Sequence, residues 1–347
     1  MVTLIEQAIP GYYRVVKAKC DVSGLRAFIA VHNVNLGVAL GGCRVLEYPD
    51  AETQLADTLK LARGMTYKSA LAGNKLGGGK STIQGPLTDQ KLEAFGEALN
   101  LLNKDEIMYI AAADVGTNSE VLAKVANVTE FVNYKGQDCS IATAHGVFHA
   151  MKGACRFLGT DLRDQEVAIS GYGKVGRRLT NLLLNNNTMA MVGDIIPPFK
   201  RNGYGAVDGL IPNRLGYIDY RLAHTKGTIY SPCALGGTVN RESITSIPSG
   251  HIICGAANNQ LEDLAVQPLL KEKSITYVPD FVANAGGVII TEEQNKEMVD
   301  LDWNDYKVLP RLENIGNTVF DILERSKAER SYPTVIANKM AEEIFNA

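Results

Sequence analysis

Long apolar runs, clusters of basic residues and paired cysteines are all absent from this sequence. A membrane-spanning helix needs about 20 mostly apolar residues in a row, and a nucleic-acid surface needs a concentrated positive field. The formal net charge is −3, and the lysines and arginines are dispersed along the chain. The sequence therefore predicts neither a membrane nor a nucleic acid as a partner.

Cysteine is scarce and scattered, with six residues in 347. Their spacing matches neither a disulfide framework nor a zinc site, so we expect free thiols and no metal. The first residues also differ from a secretory signal, because Glu6 and Pro10 interrupt the apolar stretch. We therefore expect a soluble cytoplasmic protein.

The length of 347 residues exceeds one typical hydrophobic core, so we expect two domains with a ligand cleft between them. In the first third, apolar runs predict short strands at Leu25–Val31 and Ile107–Ile110. Apolar residues at helical spacing predict helices over Ala51–Arg63 and Asp89–Asn103. This mixture favours an α/β domain at the amino-terminal end.

From about Asp164 the pattern changes to strand, glycine turn, helix and strand, which is typical of a parallel sheet with crossover helices. The predicted strands are Val167–Ser170, Met189–Gly193, Thr228–Tyr230, Ile252–Cys254 and Ile275–Val278, and the predicted helices are Arg177–Leu184, Asn304–Ser326 and Thr334–Phe345. Prolines and glycines interrupt the stretch between Asp194 and Thr228, so no regular crossover helix is predicted there.

A G-x-G-x-x-G pattern, formed by Gly171, Gly173 and Gly176, follows a predicted strand and opens a predicted helix. The glycines allow a tight turn, close approach of the backbone to a pyrophosphate and close helix packing. Asp194 ends the next predicted strand, where a carboxylate accepts from the ribose hydroxyls and repels a 2′-phosphate. This Rossmann-type pattern predicts NAD as the cofactor. Lys200 and Arg201 lie nearby in the sequence, and their positive charges would weaken the preference for NAD over NADP. The alternative is a structural glycine turn with a solvent-facing aspartate.

Three consecutive glycines, Gly77–Gly79, precede Lys80 in the most unusual stretch of the chain. A phosphate-binding loop of the G-x-x-x-x-G-K-S/T type is disfavoured, because Asn74 stands where the first glycine is required. Desolvation and the like charge of Lys68 and Lys75 would instead lower the pKa of Lys80, so that it acts as a base near neutral pH.

Further polar side chains follow other predicted strands. Asp114 comes after an apolar strand and just before a turn glycine, so it is either presented for catalysis or is an ordinary turn aspartate. Side-chain amides occur in two later segments, Gly255–Gln260 and Asp280–Val288, each of which follows a strand. Taken alone, each segment is compatible with simple turn chemistry.

Taken together and in order, these segments resemble the glutamate/leucine/phenylalanine/valine dehydrogenase family, most closely its leucine and phenylalanine dehydrogenase branch. The matching segments are ALGGCR at Ala39–Arg44, MTYK at Met65–Lys68, LGGGK at Leu76–Lys80, ADVGT at Ala113–Thr117, TAHGV at Thr143–Val147, SPCALGGTVN at Ser231–Asn240, GAANNQL at Gly255–Leu261 and PDFVANAGGV at Pro279–Val288.

The resemblance implies a role for each matching residue. Lys68 would bind the substrate carboxylate, Lys80 would be the general base, and Asp114 would exchange protons with the substrate nitrogen. The remaining substrate-site residues implied are Leu40, Gly41, Asn258, Asn284, Val288 and Thr291. The implied cofactor-site residues are Thr143, Gly171, Tyr172, Gly173, Lys174, Val175, Gly176, Asp194, Cys233, Ala234 and Asn258.

The expected fold class is α/β, with a substrate and oligomerisation domain at residues 1–137 and a Rossmann-type NAD domain at 138–326. Residues 327–347 are expected to return to the first domain, and the protein is expected to be a homo-oligomer. The implied activity is reversible, NAD-dependent oxidative deamination of an amino acid. A non-catalytic, regulatory NAD-binding relative is the alternative, although it would not need Lys68, Lys80 and Asp114. A hydroxy-acid dehydrogenase is disfavoured because no histidine has an obvious acid/base partner in its segment.

Leu40 predicts the class of substrate. In the glutamate-specific relatives a lysine stands at this position and pairs with the distal carboxylate, whereas leucine offers no partner. Burying an unpaired carboxylate is costly, and burying an apolar side chain is favourable. We therefore expect a leucine- or valine-like substrate first, and an aromatic one such as phenylalanine or tryptophan second.

Overall fold

A computed structural model describes residues 1–134, 138–196, 214–297 and 308–347, with the side chains of 294–297 left aside. Among these residues, one compact unit comprises 1–134, 294–297 and Ala341–Ala347, and a second comprises 138–293 and 308–340. The predicted α/β fold class is confirmed. Lys200, Arg201 and most of the irregular stretch after Asp194 lie outside the described residues. No helix in the described part is long and apolar enough to cross a membrane.

The first unit is built on a six-stranded sheet in the order β1-β2-β3-β5-β4-β6. Its elements are β1 (Thr3–Glu6), β2 (Arg14–Cys20), β3 (Leu25–Asn33), β4 (Ala39–Leu46), α1 (Ala51–Leu71), β5 (Gly77–Gln84), α2 (Asp89–Leu102), β6 (Tyr109–Ala113) and α3 (Ser119–Ala126). Strands β5, β4 and β6 run parallel to one another. Because parallel strands share an edge at their carboxyl ends, residues late in these strands are brought together.

Helix α1 is longer than the predicted Ala51–Arg63, so the MTYK segment is helical and Lys68 lies near the end of the helix. The helix begins at Asp50, whose side chain accepts from the backbone N–H of Thr53 at 2.7 Å. It lies against β5, where the Thr58 hydroxyl is 2.7 Å from that of Thr82. At the other end of the contact Thr66 lies directly over Gly78, where an added Cβ would be 2.1 Å from the Thr66 nitrogen.

The opposite face of the sheet carries the main hydrophobic core of the first unit. Helix α2 buries Phe95 and Leu99 there, as its helical spacing predicted, and the strands contribute Ile83 and Tyr109. Since side chains alternate across a strand, β4 turns Ala39 and Cys43 toward this core and turns Leu40, Gly42 and Arg44 toward the α1 side. The core therefore fixes which side chains face α1.

The second unit contains a six-stranded, fully parallel sheet in the order β12-β11-β10-β7-β8-β9. Its elements are α4 (Ser140–Phe157), β7 (Glu166–Ser170), α5 (Lys174–Asn185), β8 (Met189–Gly193), β9 (Leu215–Tyr217), β10 (Ile229–Pro232), α6 (Arg241–Ser246), β11 (Ile252–Ile253), α7 (Gln267–Glu272), β12 (Thr276–Tyr277), α8 (Asp280–Ala283), α9 (Gly286–Glu297) and α10 (Val308–Ala328), with α11 (Pro333–Phe345) closing the chain. The predicted strands and helices are present here with ends shifted by a few residues, except that the predicted helix start at Asn304 lies outside the described residues.

The last turn of α11 belongs to the first unit and packs on its aromatic residues. The ring of Phe345 lies 5.4 Å from that of Tyr67 and 6.1 Å from that of His32. The Tyr67 hydroxyl donates to Glu342, and the Asn35 amide donates to the Phe345 carbonyl at 2.9 Å. Burial lowers the pKa of His32 to about 4, so the imidazole is neutral in this cluster.

All six cysteines are free thiols in the structure. Cys20, Cys43, Cys155 and Cys254 are buried, and Cys139 and Cys233 are half-buried.

Two glycine-to-alanine changes test the contact between α1 and β5. Gly78→Ala is expected to destabilise the protein by about 2 kcal/mol or more, because its Cβ would overlap the backbone of Thr66. The control is Gly64→Ala at an exposed position of α1, where the new Cβ has open space around it. This change is expected to stabilise the protein by about 0.5 to 1 kcal/mol. Calorimetric melting temperatures measure both, and equal effects would contradict the close contact.

Candidate active site

Lys80 lies in β5 and is almost completely buried, with a side chain only 6% exposed. Its Nζ is 2.6 Å from Oδ2 of Asp114, which directly follows β6. Opposite them, Gly42 leaves room for both groups, because a Cβ at this position would lie 3.0 Å from Lys80 Nζ and 2.6 Å from Asp114 Cβ. The structure thus brings together the lysine and the aspartate that the sequence predicted separately.

Burial is the main cause that lowers the pKa of Lys80, and the charge of Arg44 lowers it further. Asp114 opposes both effects without overcoming them. The lowering of the Lys80 pKa and its expected main cause, desolvation, are both present; Arg44 is a neighbouring cation that the sequence reasoning did not consider. A buried lysine with a lowered pKa has the properties of a general base.

Asp114 experiences the complementary balance. Burial alone would raise its pKa, but Lys80, Arg44 and the backbone N–H of Val115 outweigh burial and hold the pKa below its usual value. Its carboxylate is consequently ionised and accepts two charged hydrogen bonds on Oδ2. The turn that presents it is closed by Thr117, whose hydroxyl accepts from the Asp114 N–H at 2.9 Å.

Arg44 was missed by the sequence reasoning, which quoted it only as the end of the ALGGCR segment. Its Nε donates to Asp114 Oδ2 at 3.0 Å, and its terminal nitrogen donates to Asp57 Oδ2 at 3.2 Å. Asp57 also accepts from the Tyr48 hydroxyl at 2.8 Å. The position of Arg44 near the carboxyl end of a strand could have indicated a functional role. Its partner Asp57, however, lies on a helix whose packing the sequence did not show.

The other predicted residues of the first unit surround the pair by register. Leu40 is paired with Gly78 and Gly41 with Ala111, so both lie in β4, just before the position opposite Lys80. Leu40 is 2% exposed and faces the α1 side of the sheet. Lys68 is half-buried in α1, two residues after Thr66, which contacts the glycine strand.

The glycine turn of the second unit joins β7 to α5, with Gly173 at the helix N-cap. Gly171 has a φ of +107°, and a Cβ there would lie 2.8 Å from that of Ala234, which follows Cys233. By contrast, a Cβ added at Gly173 would meet nothing within 4 Å. The turn is therefore packed tightly against Cys233–Ala234 at Gly171, whereas there is open space at Gly173, where α5 begins with Lys174 and Val175.

Asp194 follows β8 and lies beside this turn, as the sequence predicted. Its Oδ2 accepts from the Tyr172 N–H at 2.6 Å, and its Oδ1 accepts from the Ile196 N–H at 3.1 Å. The aspartate consequently orders the glycine turn in addition to any contact with a ribose.

Asn284 and Asn258 lie together in the second unit, where the Asn284 amide donates to Asn258 Oδ1 at 2.8 Å. Asn284 is 5% exposed, and its own Oδ1 is a buried acceptor without a hydrogen-bond partner among the residues that the structure describes. A buried unsatisfied acceptor is costly, so such an atom at a candidate site indicates a donor supplied by a ligand.

Thr143, Val288 and Thr291 occupy the region where α9 meets α4. A Cβ at Gly287 would lie 3.2 Å from the Thr143 hydroxyl, which donates to the Cys139 carbonyl. Val288 and Thr291 both lie in helix α9, Gly286–Glu297. The two share a helix face at three-residue spacing, and the Thr291 hydroxyl donates to the Gly287 carbonyl at 2.7 Å.

Comparison with known families gives two matches. The model described as Glu/Leu/Phe/Val dehydrogenase, dimerisation domain, matches residues 6–131, and the model described as Glutamate/Leucine/Phenylalanine/Valine dehydrogenase matches residues 200–344. Together these matches cover most of the chain.

Individual relatives match almost the full length. Phenylalanine dehydrogenase of Thermoactinomyces intermedius is 35% identical, covering 96% of this chain and 91% of the relative. Leucine dehydrogenase of Bacillus cereus is 36% identical, covering 96% and 90%. Among solved structures, L-tryptophan dehydrogenase from Nostoc punctiforme superposes with a TM-score of 0.82 at 31% identity, covering 97% of this chain and 96% of that one.

The Lys80–Asp114 pair makes a prediction for Asp114→Asn. Because Asp114 is the nearby charge that favours the ammonium form, its removal is expected to lower the pKa of Lys80 further. Lysine labelled with carbon-13 at Cε reports the titration by NMR, with Lys80→Ala assigning the signal and exposed Lys60 as internal control. A Lys80 midpoint that rises or stays constant in the variant would refute the assigned electrostatics.

Proposed function

The chain belongs to the glutamate/leucine/phenylalanine/valine dehydrogenase family, and we propose that it catalyses the reversible, NAD-dependent oxidative deamination of an apolar L-amino acid. The products of this reaction are the 2-oxo acid and ammonia. That the chain is an amino-acid dehydrogenase follows from its family and its relatives. The choice of substrate, the choice of cofactor and the roles of individual residues form the proposal.

The observation that carries the proposal is the buried Lys80–Asp114 pair, with Nζ 2.6 Å from Oδ2. Oxidation of an amine to an iminium must be followed by attack of water, and that water has to lose a proton. Lys80 in its neutral form accepts this proton, and burial favours the neutral form. Asp114, held ionised by two cations, then exchanges a proton with the substrate nitrogen so that ammonia leaves.

Lys68 supplies the fixed positive charge in this proposal. Its side chain, from the end of α1, binds the substrate carboxylate and orients the α-carbon. Orientation of this kind contributes much of an enzyme's rate, because the reacting atoms no longer have to find one another. The support is local: α1 is held on β5 by Thr58 and Thr66, so Lys68 has a rigid attachment next to the strand that carries Lys80.

The second unit is proposed to bind NAD, which when bound accepts a hydride from the substrate α-carbon. The open space above Gly173 suits a pyrophosphate at the start of α5, and Asp194 suits the adenosine ribose. A carboxylate at that point disfavours the 2′-phosphate of NADP. The unpaired Asn284 Oδ1 and the neighbouring Asn258 and Thr143 are proposed to contact the nicotinamide end.

Leu40 is proposed to form the wall against the substrate side chain, and Val288 and Thr291, in α9, remain proposed substrate-site residues. Leu40 shares a sheet face with Gly42, against which Lys80 Nζ lies. Because Leu40 is two positions before Gly42 in β4, its apolar side chain suits a leucine- or valine-like substrate first and an aromatic one second. We also propose a homo-oligomer, because the amino-terminal region matches a dimerisation domain.

Lys80→Ala is expected to lower kcat/KM by about a hundredfold to ten-thousandfold, because it removes a positioned base. In the unmutated protein kcat/KM for deamination is expected to rise with pH as Lys80 loses its proton, and to level off below the usual range of a lysine. Lys60→Ala, on the exposed side of α1, serves as the control and should retain activity. Intact NADH fluorescence titration of Lys80→Ala excludes misfolding. Retention of more than about a tenth of wild-type activity would show that another group is the base.

Substrate and cofactor choice are tested by NAD and NADP reduction with leucine, valine, phenylalanine, tryptophan and glutamate. Wild type should prefer NAD and discriminate against glutamate by a factor of at least about 1000, since an unpaired buried carboxylate costs several kcal/mol. Leu40→Lys should lose activity on apolar substrates and gain on glutamate. Comparable wild-type turnover of glutamate and leucine, or unchanged apolar turnover in Leu40→Lys, would exclude the proposed pocket.

A further inference from the structure

Five side chains of the first unit form one continuous polar chain that begins at Lys80 and ends at Tyr48. Lys80 and Arg44 donate to the same oxygen of Asp114, at 2.6 and 3.0 Å. Arg44 continues to Asp57 at 3.2 Å, and Tyr48 donates to Asp57 at 2.8 Å. The side chains of Arg44 and Asp57 are 18% and 26% exposed, so water screens this chain only weakly.

The charges along this chain alternate in sign. With Lys80 protonated, the four charged groups sum to zero, and loss of the Lys80 proton leaves a single negative charge. Arg44 lies between two carboxylates, so Asp57 balances part of the positive charge that Asp114 and Lys80 experience. Because Coulomb energies are large where solvent is excluded, changing either outer member alters the balance at Lys80.

We propose that Arg44 and Asp57 are positioning residues that set the protonation of the Lys80–Asp114 pair. Arg44 holds Asp114 Oδ2 in place and disfavours a proton on Lys80, while Asp57 limits this effect by balancing Arg44. The inference rests on the proposed role of Lys80 as the base. It adds that the pH range in which the base works is decided by a pair that need not touch the substrate.

Other titratable groups near Lys80 do not substitute for this pair. Cys43 precedes Arg44 in β4, and burial raises the pKa of its thiol to about 12. His32, on the neighbouring strand β3, is neutral because burial lowers its pKa to about 4. The Tyr48 phenol is held protonated by burial and by Asp57, which raise its pKa. Among the charged side chains of α1, Glu52, Lys60 and Arg63 are exposed, and the half-buried ones are Asp57 itself and Lys68, which is proposed to bind the substrate.

A purely structural ion pair makes a different prediction from a pair that sets protonation. If Arg44 and Asp57 only fastened β4 to α1, removing either one would lower stability and activity in the same direction. If they set the charge balance, the two removals act with opposite sign. Loss of Arg44 stabilises the protonated form of Lys80, whereas loss of Asp57 leaves Arg44 uncompensated and stabilises the neutral form.

The test compares Arg44→Gln, Asp57→Asn and the double variant with Glu47→Gln, which removes an exposed carboxylate beside β4. Each variant's kcat/KM at an acidic pH is divided by its own value on the alkaline plateau, and this ratio is compared with that of wild type. For Arg44→Gln the ratio should be at least about fivefold lower. Asp57→Asn should gain, the double variant should fall between the two, and Glu47→Gln should match wild type. The Lys80 Cε titration by NMR should show the same order of midpoints without relying on turnover.

The NMR titration decides the inference even if kinetics fail. Midpoints displaced in opposite directions support it, and midpoints that stay together or move the same way overturn it. Wild-type protein that turned over no amino acid would refute the proposed function, while opposite midpoints in that protein would still establish the charge balance. Active wild type with coincident midpoints would refute this inference and leave the function standing.

Discussion

A lysine ammonium buried in a β-sheet needs a compensating charge, and much of the first unit is arranged around that requirement. Lys80 comes from β5, Asp114 from the end of β6, Arg44 from β4 and Asp57 from α1. Because β4, β5 and β6 are parallel, with Cys43 paired to both Ser81 and Ala113, the middle of β5, the later part of β4 and the residue after β6 lie at nearly the same level across the sheet. The order of strands and the chemistry at Lys80 are thus two aspects of one arrangement.

In the second unit the candidate site is organised mainly by contacts of backbone groups. Its central strand β7 has β8 on one side and β10 on the other, and in open α/β sheets this reversal of strand order is where ligands usually bind, at the carboxyl edge. The glycine turn, Asp194 and the Cys233–Ala234 segment all begin there. Their mutual contacts are made by N–H groups and by closely packed glycines rather than by long charged side chains.

Local patterns in the sequence predicted more of the fold than of the site's electrostatics. Helix α2 and the order strand, turn, helix and strand around the glycine turn are determined by apolar spacing and by turn residues. They can therefore be recognised in the linear sequence. The extension of α1 beyond Arg63 could not, because it depends on Thr58 and Thr66 packing on a neighbouring strand. Arg44 and Asp57 were overlooked for the same reason: a charge network is defined by distances across elements, which composition and spacing do not report.

The bare strand β5 also limits how this protein can change. Gly78 is closed to any side chain by Thr66, and Gly79 by the ring of Tyr109, 2.6 Å from where a Cβ would lie. Strand β4 pairs with β5 and carries Leu40, the side chain proposed to select the substrate, opposite Gly78. Under the proposed function, catalysis and selectivity therefore lie on adjacent strands with unequal freedom: a change at Leu40 would alter the choice of substrate, whereas β5 has no room for a side chain at Gly78 or Gly79.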